Sequence, residues 1–194
     1  MTAPIRLGFA MTGSFCTFSR VFSVLEEMMQ TGRYEVTPIL SHNAAAMDSR
    51  FGSAASMREK LERITGHPAL DTIQAVEPIG PKGLLDVLVI APCTGNTLAK
   101  LACSVIDTPV TMAAKSHLRR DRPVVLAVST NDGLSGSAGN LGTLLNRRHY
   151  YFVPFGQDAP TAKPRSLVAD MTCIPQTVEA ALRGEQIQPM LYAL

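Results

Sequence analysis

The stretch DVLVIAPCTGNTLAK, residues 86–100, decides the fold. Val87 to Ala91 is wholly apolar, so a strand over residues 86–91 has no face to offer water. Such strands sit inside parallel sheets with helices packed on both sides. After Pro92 the pattern breaks into Cys93, Thr94, Gly95, Asn96 and Thr97, and a helix is expected over Asn96–Cys103. One of these residues suffices as a helix cap. The surplus of hydroxyls and amide, with a glycine that lets backbone approach closely, points to a ligand at this strand tip.

The same alternation recurs outward from that stretch. Ile5–Met11 reads as a buried strand, and Phe15–Thr31 as a helix with Phe18, Val21, Phe22, Leu25 and Met29 at helical spacing and Gly32 as its stop. Tyr34–Leu40 is a second strand and Ser53–Thr65 a second helix. Residues 78–83, with Pro78, Gly80, Pro81 and Gly83, read as a loop over the sheet edge. Pro109–His117, Leu141–Arg148 and Thr177–Arg183 read as helices, Pro123–Ser129 and Tyr150–Phe155 as strands. Residues 156–176, punctuated by Pro160, Pro164 and Pro175, read as a mobile segment able to cover a site. Strands alternating with helices predict an α/β protein with a three-layer, doubly wound parallel sheet, in one domain spanning residues 1–194.

Composition narrows the function. Of 194 residues, 46% are hydrophobic and only 18% charged, which suits a surface that partly meets another copy or chain. A net charge of +2 gives no electrostatic argument for nucleic acid or a membrane surface, and no apolar run is long enough to span a bilayer. The opening MTAPIR runs into a core strand without a signal-peptide pattern, so a cytoplasmic protein is expected. Cys16, Cys93, Cys103 and Cys173 are far apart, which argues against a zinc site or a disulfide framework.

In open α/β sheets, ligands bind beyond the carboxyl ends of the strands. Three such ends here carry unusual residues: Thr12-Gly13-Ser14, Cys93 to Thr97, and Ser129-Thr130-Asn131-Asp132. The first can present N–H groups and hydroxyls to a phosphate at a helix start, or serve only as a cap. There is no GxGxxG, so the dinucleotide fingerprint is absent. Lys100 lies four residues past Asn96, on the same helix face. Asp132-Gly133 is also an ordinary turn pair. Cys93 reads two ways, as a thiol activated at a helix N-terminus or as an inert small side chain. Ser41-His42 ends the second strand and faces the edge of the same site; His67 reads as surface loop, and His117 and His149, beside arginines, as a solvated or interface face. No residue stands out as catalytic, and nothing is spaced as a metal site.

Pro92-Cys93-Thr94-Gly95-Asn96-Thr97, followed by Lys100, Ala102, Asp107 and Thr111, is similar to the long PASANT signature of the homo-oligomeric flavin-containing cysteine decarboxylases. Thr12-Gly13-Ser14 resembles that family's loop for the FMN phosphate, and Asn131 falls on the asparagine of its PxMNxxMW motif. The resemblance implies a flavodoxin-like (Rossmann-like) fold, a homo-oligomer, and FMN held by Thr12, Gly13, Ser14, Ser41, Cys93, Thr94, Gly95, Asn96, Thr97, Ser129, Thr130 and Asn131, with Asn96, Lys100 and His42 toward substrate. The chain departs from the pattern at Ser104 (glycine in the signature), Pro109 (leucine), Thr130 and Leu134 (methionines) and Ser135 (tryptophan). The decarboxylase histidine would fall at Ala46 or a neighbour, later than His42.

Within that flavoprotein group, the segments GFAMTGSFCTFSR, SHNAAAMDSRFG and STNDGLSGSAGNLGTLLNRRHYYFVPFGQD resemble the B subunits of dipicolinate synthases. That resemblance implies a partner A subunit that carries NADP, and a dicarboxylate substrate. The reaction implied is oxidation of dihydrodipicolinate, or its hydroxytetrahydro precursor, to dipicolinate in the mother cell of a sporulating bacterium. A phosphopantothenoylcysteine-type decarboxylase and a non-catalytic scaffold are the alternative readings.

Overall fold

In the computed structural model, which describes residues 3–192, the elements follow in the order β1 (Ile5–Met11), a 3-10 turn (Phe15–Thr17), α1 (Phe18–Gln30), β2 (Tyr34–Leu40), α2 (His42–Ala46), α3 (Ala54–Thr65), α4 (Ile73–Val76), α5 (Ile79–Lys82), β3 (Val87–Cys93), α6 (Gly95–Ala102), α7 (Pro109–Leu118), β4 (Val124–Thr130), α8 (Ala138–Leu145), β5 (Tyr150–Phe152), β6 (Phe155–Gly156), β7 (Leu167–Ala169) and α9 (Ile174–Leu182). β2, β1, β3 and β4 pair in that order, all parallel. Every residue of β3 is buried, as its unbroken apolar run requires. α1 packs Phe18, Val21, Phe22, Leu25 and Met28 inward, with Phe18 and Phe22 edge-to-face at 6.0 Å; Met29, expected in that stripe, is only half-buried.

The far edge of β4 is shared. Its lower half pairs in parallel with β5, at Val124–Leu126, and its upper end pairs antiparallel with β7, at Ser129 and Thr130. β7 in turn pairs antiparallel with β6. The sheet is therefore the doubly wound parallel one that the pattern predicts, with β7 and β6 added antiparallel at this edge. The expected strand Tyr150–Phe155 is two strands, broken at Val153 and Pro154. The segment 156–176, expected to be mobile, contains β7 and is tied into the sheet.

Residues 78–83 are not a loop: α5 occupies most of them, following α4. Both turns pack on α7, and a Cβ on Gly80 would stand 2.3 Å from the Ser116 carbonyl oxygen. Helices of four residues, one entered through Pro78, carry no periodicity a sequence can display. α2 also went unforeseen; the Ser41 hydroxyl caps it, accepting from the Ala44 N–H at 3.2 Å.

Candidate functional site

The tips of β1, β3 and β4 are bonded to one another. Buried Thr12 is the hub: its hydroxyl donates to the Pro92 carbonyl at 2.6 Å and accepts the Thr94 N–H at 3.1 Å. The Ser14 and Ser129 hydroxyls meet at 2.8 Å, linking the first tip to the third. Thr94 caps α6 by accepting the Thr97 N–H, and the two threonine hydroxyls lie 3.0 Å apart. At the end of β4, Thr130 and, from the N-cap of α8, Ser137 both donate to Oδ1 of Asp132, the latter at 2.9 Å. Gly95 fits against this network so closely that a Cβ there would lie 2.6 to 2.8 Å from Ser137 Oγ, Thr130 Oγ1 and Asp132 Oδ1.

Above the tips lies a cleft of about 870 Å³, within the range of small-molecule and cofactor sites. Gly13, Ser14, Thr94, Gly95, Asn96, Ser129, Thr130 and Asn131 all line it. Thr12 and Thr97 are buried just beneath and hold the lining residues in place. The cleft opens on the first N–H groups of the 3-10 turn and of α6, which no helical carbonyl can reach. Hydroxyls, an amide, helix-start N–H groups and a cradle without a Cβ form a donor set suited to an anionic mononucleotide.

Four of the residues singled out in the sequence fall elsewhere. Cys93 is fully buried, and burial pushes its thiol far above the ordinary range, so it is the inert side chain and not a helix-activated thiolate. Ser41 is spent as the α2 cap, with its N–H donating to the Met11 carbonyl. Lys100 donates to both carboxylate oxygens of Asp107 at 2.7 Å. That bond, with a smaller contribution from nearby His42, holds the exposed Asp107 carboxyl below its usual range. Lys100 borders a second hollow, of about 300 Å³, with Val105, Lys115 and Tyr150. Neither it nor His42 lines the cleft. Spacing along α6 put Lys100 on the face of Asn96; a helix turn lower, that face has left the strand tips.

The opposite wall is built from residues that the sequence pattern does not single out. Arg20 from α1, Arg50 and Phe51 from the turn before α3, and Asp158, Lys163, Ser166 and Val168 from the segment around β7 complete the lining. Burial pulls the Asp158 carboxyl up, but hydrogen bonds from Lys163 and Ser166 outweigh it and hold the group below the usual carboxylate range. Three cations against Asp132 and Asp158 leave the lining with excess positive charge. Among the described residues no cluster of histidine, cysteine and carboxylate side chains could hold a metal ion, and no helix is long and apolar enough to cross a membrane.

The Flavoprotein family matches residues 1–140, which include all three strand tips. The chain belongs to that family. It is 48% identical over 186 residues to the B subunit of dipicolinate synthase from Bacillus subtilis, covering 96% of this chain and 92% of the relative. The crystal structure of the dipicolinate synthase B subunit from Bacillus halodurans superposes with a TM-score of 0.89 at 43% identity, covering 98% of this chain and 97% of that one. The FMN-dependent cysteine decarboxylase SpaF shares the fold, with a TM-score of 0.70 over 91% of this flavoprotein and 97% of its own chain, at 22% identity.

Proposed function

We propose that this flavoprotein acts as the B subunit of a dipicolinate synthase, binding FMN in the cleft. The observation that carries the reading is the convergence of three donor-rich strand tips around a cradle that only glycine fits. Gly13 and Ser14, with the N–H groups of the 3-10 turn, would hold the phosphate; Thr94, Gly95 and Asn96 on one side and Thr130 and Asn131 on the other would bound the rest of the cofactor. A flavin in this position supplies a two-electron hydride acceptor, the chemistry that aromatising a dihydropyridine dicarboxylate needs. The chain's own residues orient the ring and neutralise the carboxylates of the substrate, with the cations of the far wall suited to the second task.

On this reading a nicotinamide-binding A subunit supplies NADP, and the pair makes dipicolinate in the mother-cell cytoplasm of a sporulating bacterium. The chain forms one domain and assembles with further copies; exposed apolar side chains such as Met47, Leu84, Leu134 and Leu145 are consistent with such contacts. The decarboxylase alternative has less support. Ala46, Thr130, Leu134 and Ser135 stand where that chemistry has its histidine, methionines and tryptophan.

The test is an absorbance spectrum of the purified chain with and without added FMN, followed by a dipicolinate assay with and without the nicotinamide-binding partner. Flavin uptake and a requirement for both chains are expected. No uptake at micromolar FMN would remove the cofactor assignment, and full activity from the partner by itself would reduce this chain to an accessory.

A further inference from the structure

The turn Asp48–Gly52 has no part in the strand-tip network, yet it is closed by a dense set of hydrogen bonds. Ser49 and Gly52 exchange backbone bonds at 3.0 and 3.1 Å, the Ser49 hydroxyl accepts the Phe51 N–H at 3.1 Å, and Asp48 accepts the Ala54 N–H at 2.9 Å. The two residues this turn lifts up, Arg50 and Phe51, both line the cleft. Phe51 is 46% exposed and lines the cleft, so part of its ring is open to a ligand. The Arg50 guanidinium lies over its ring, 4.9 Å from the centroid. Arg20, from the first turn of α1, lines the same cleft. Among the described residues neither Arg20 nor Arg50 forms an ion pair, whereas Lys163 in the same lining is paired with Asp158 at 3.0 Å. Two guanidiniums and an aromatic face thus line one cleft, and neither guanidinium is within ion-pair distance of a described carboxylate.

We infer that Arg20, Arg50 and Phe51 form the subsite for a planar aromatic dicarboxylate, each guanidinium taking one carboxylate and the Phe51 ring stacking on the ligand plane. Guanidinium and carboxylate match as paired donors and acceptors, and offset ring stacking adds to the area buried. The inference rests on the proposed function for the identity of the dicarboxylate. The residues concerned line the same cleft as the strand tips proposed to grip FMN but are not among them.

Isothermal titration of the full chain with pyridine-2,6-dicarboxylate, with and without added FMN, tests it. Arg20→Ala and Arg50→Ala are each expected to weaken dicarboxylate binding about tenfold or more, and Phe51→Ala several-fold. FMN affinity should stay within about twofold, as should dicarboxylate affinity in an Arg63→Ala control on exposed α3. Pyridine-2-carboxylate should bind the wild type more weakly than the dicarboxylate. Unfolding midpoints near wild type check that these surface variants fold. Unchanged dicarboxylate affinity in both arginine variants overturns the subsite. So does parallel loss of FMN, since the cations would then serve the cofactor phosphate. Arginine-dependent dicarboxylate binding in a chain that takes up no FMN would uphold the subsite while removing the flavin assignment.

Discussion

Replacing Gly95 by alanine sets two effects of opposite sign against each other. Gly95 opens α6, and its φ lies outside the left-handed region, so alanine there would ordinarily stabilise the helix by about 0.5–1 kcal/mol. The added methyl, however, would stand 2.6 Å from Ser137 Oγ, 2.7 Å from Thr130 Oγ1 and 2.8 Å from Asp132 Oδ1. None of these atoms can yield alone, because Thr130 and Ser137 both donate to that same Asp132 oxygen. Overpacking of this kind costs about 1–3 kcal/mol, so the clash outweighs the helix gain by about 1 kcal/mol. For a chain of this size the melting temperature should fall by about 2–4 °C. Differential scanning calorimetry reads the fall, and flavin absorbance per mole of purified protein should drop with it. Adding Ser137→Ala, which removes the nearest of the three atoms, should restore part of the loss. A Gly95→Ala protein as stable as the wild type, or more so, would refute the account of the cradle.

Ser104 adopts a φ of 58°, left-handed backbone that glycine tolerates best. Ser104→Gly should relieve about 1–2 kcal/mol of strain against about 0.5–1 kcal/mol of added chain entropy, a small gain seen as a higher urea midpoint. His117 is buried on α7 with Nε2 3.1 Å from the Pro123 carbonyl, and burial pushes its pKa down to about 4 from 6.5. The unfolded chain therefore takes up this proton before the folded one does. Stability is full above pH 6.5 and is lost as pH falls toward 4, by up to about 3 kcal/mol. Urea midpoints at pH 7 and pH 5 should show the decline, and His117→Gln should flatten it. Thiol labelling under native conditions should reach exposed Cys16 and Cys103 quickly and buried Cys93 only on unfolding; early labelling of Cys93 would contradict its placement.

Much of the fold was legible because its signals are local. The apolar run of β3, the stripe on α1 and the glycine stop at Gly32 each follow from a few adjacent residues, and the strands Ile5–Met11 and Tyr34–Leu40 stand where the pattern puts them. α4 and α5 were not, since they are held by α7 from a distant part of the chain. The antiparallel pairing of β7 was hidden for the same reason: three residues between prolines carry little pattern, and their partner is the end of β4. At the site, the strand tips were readable as clusters of small polar residues. Arg20, Arg50 and Phe51 look like any solvated side chains until the fold sets them on one rim. Lys100 failed in the opposite direction, because helical spacing describes a face but not where along its length that face leaves the cleft.

β7 joins β4 just where that strand reaches the cleft, and with it come Asp158, Lys163, Ser166 and Val168, all beyond the 140 residues that the family shares. The floor, with Arg20, Arg50 and Phe51, is thus encoded in one stretch of the gene and the rest of the far wall in another. Substitutions in the later stretch can retune what is admitted beside the floor while the floor itself is left alone. Descendants of one ancestral scaffold can in this way diverge in chemistry by editing the residues beyond position 140.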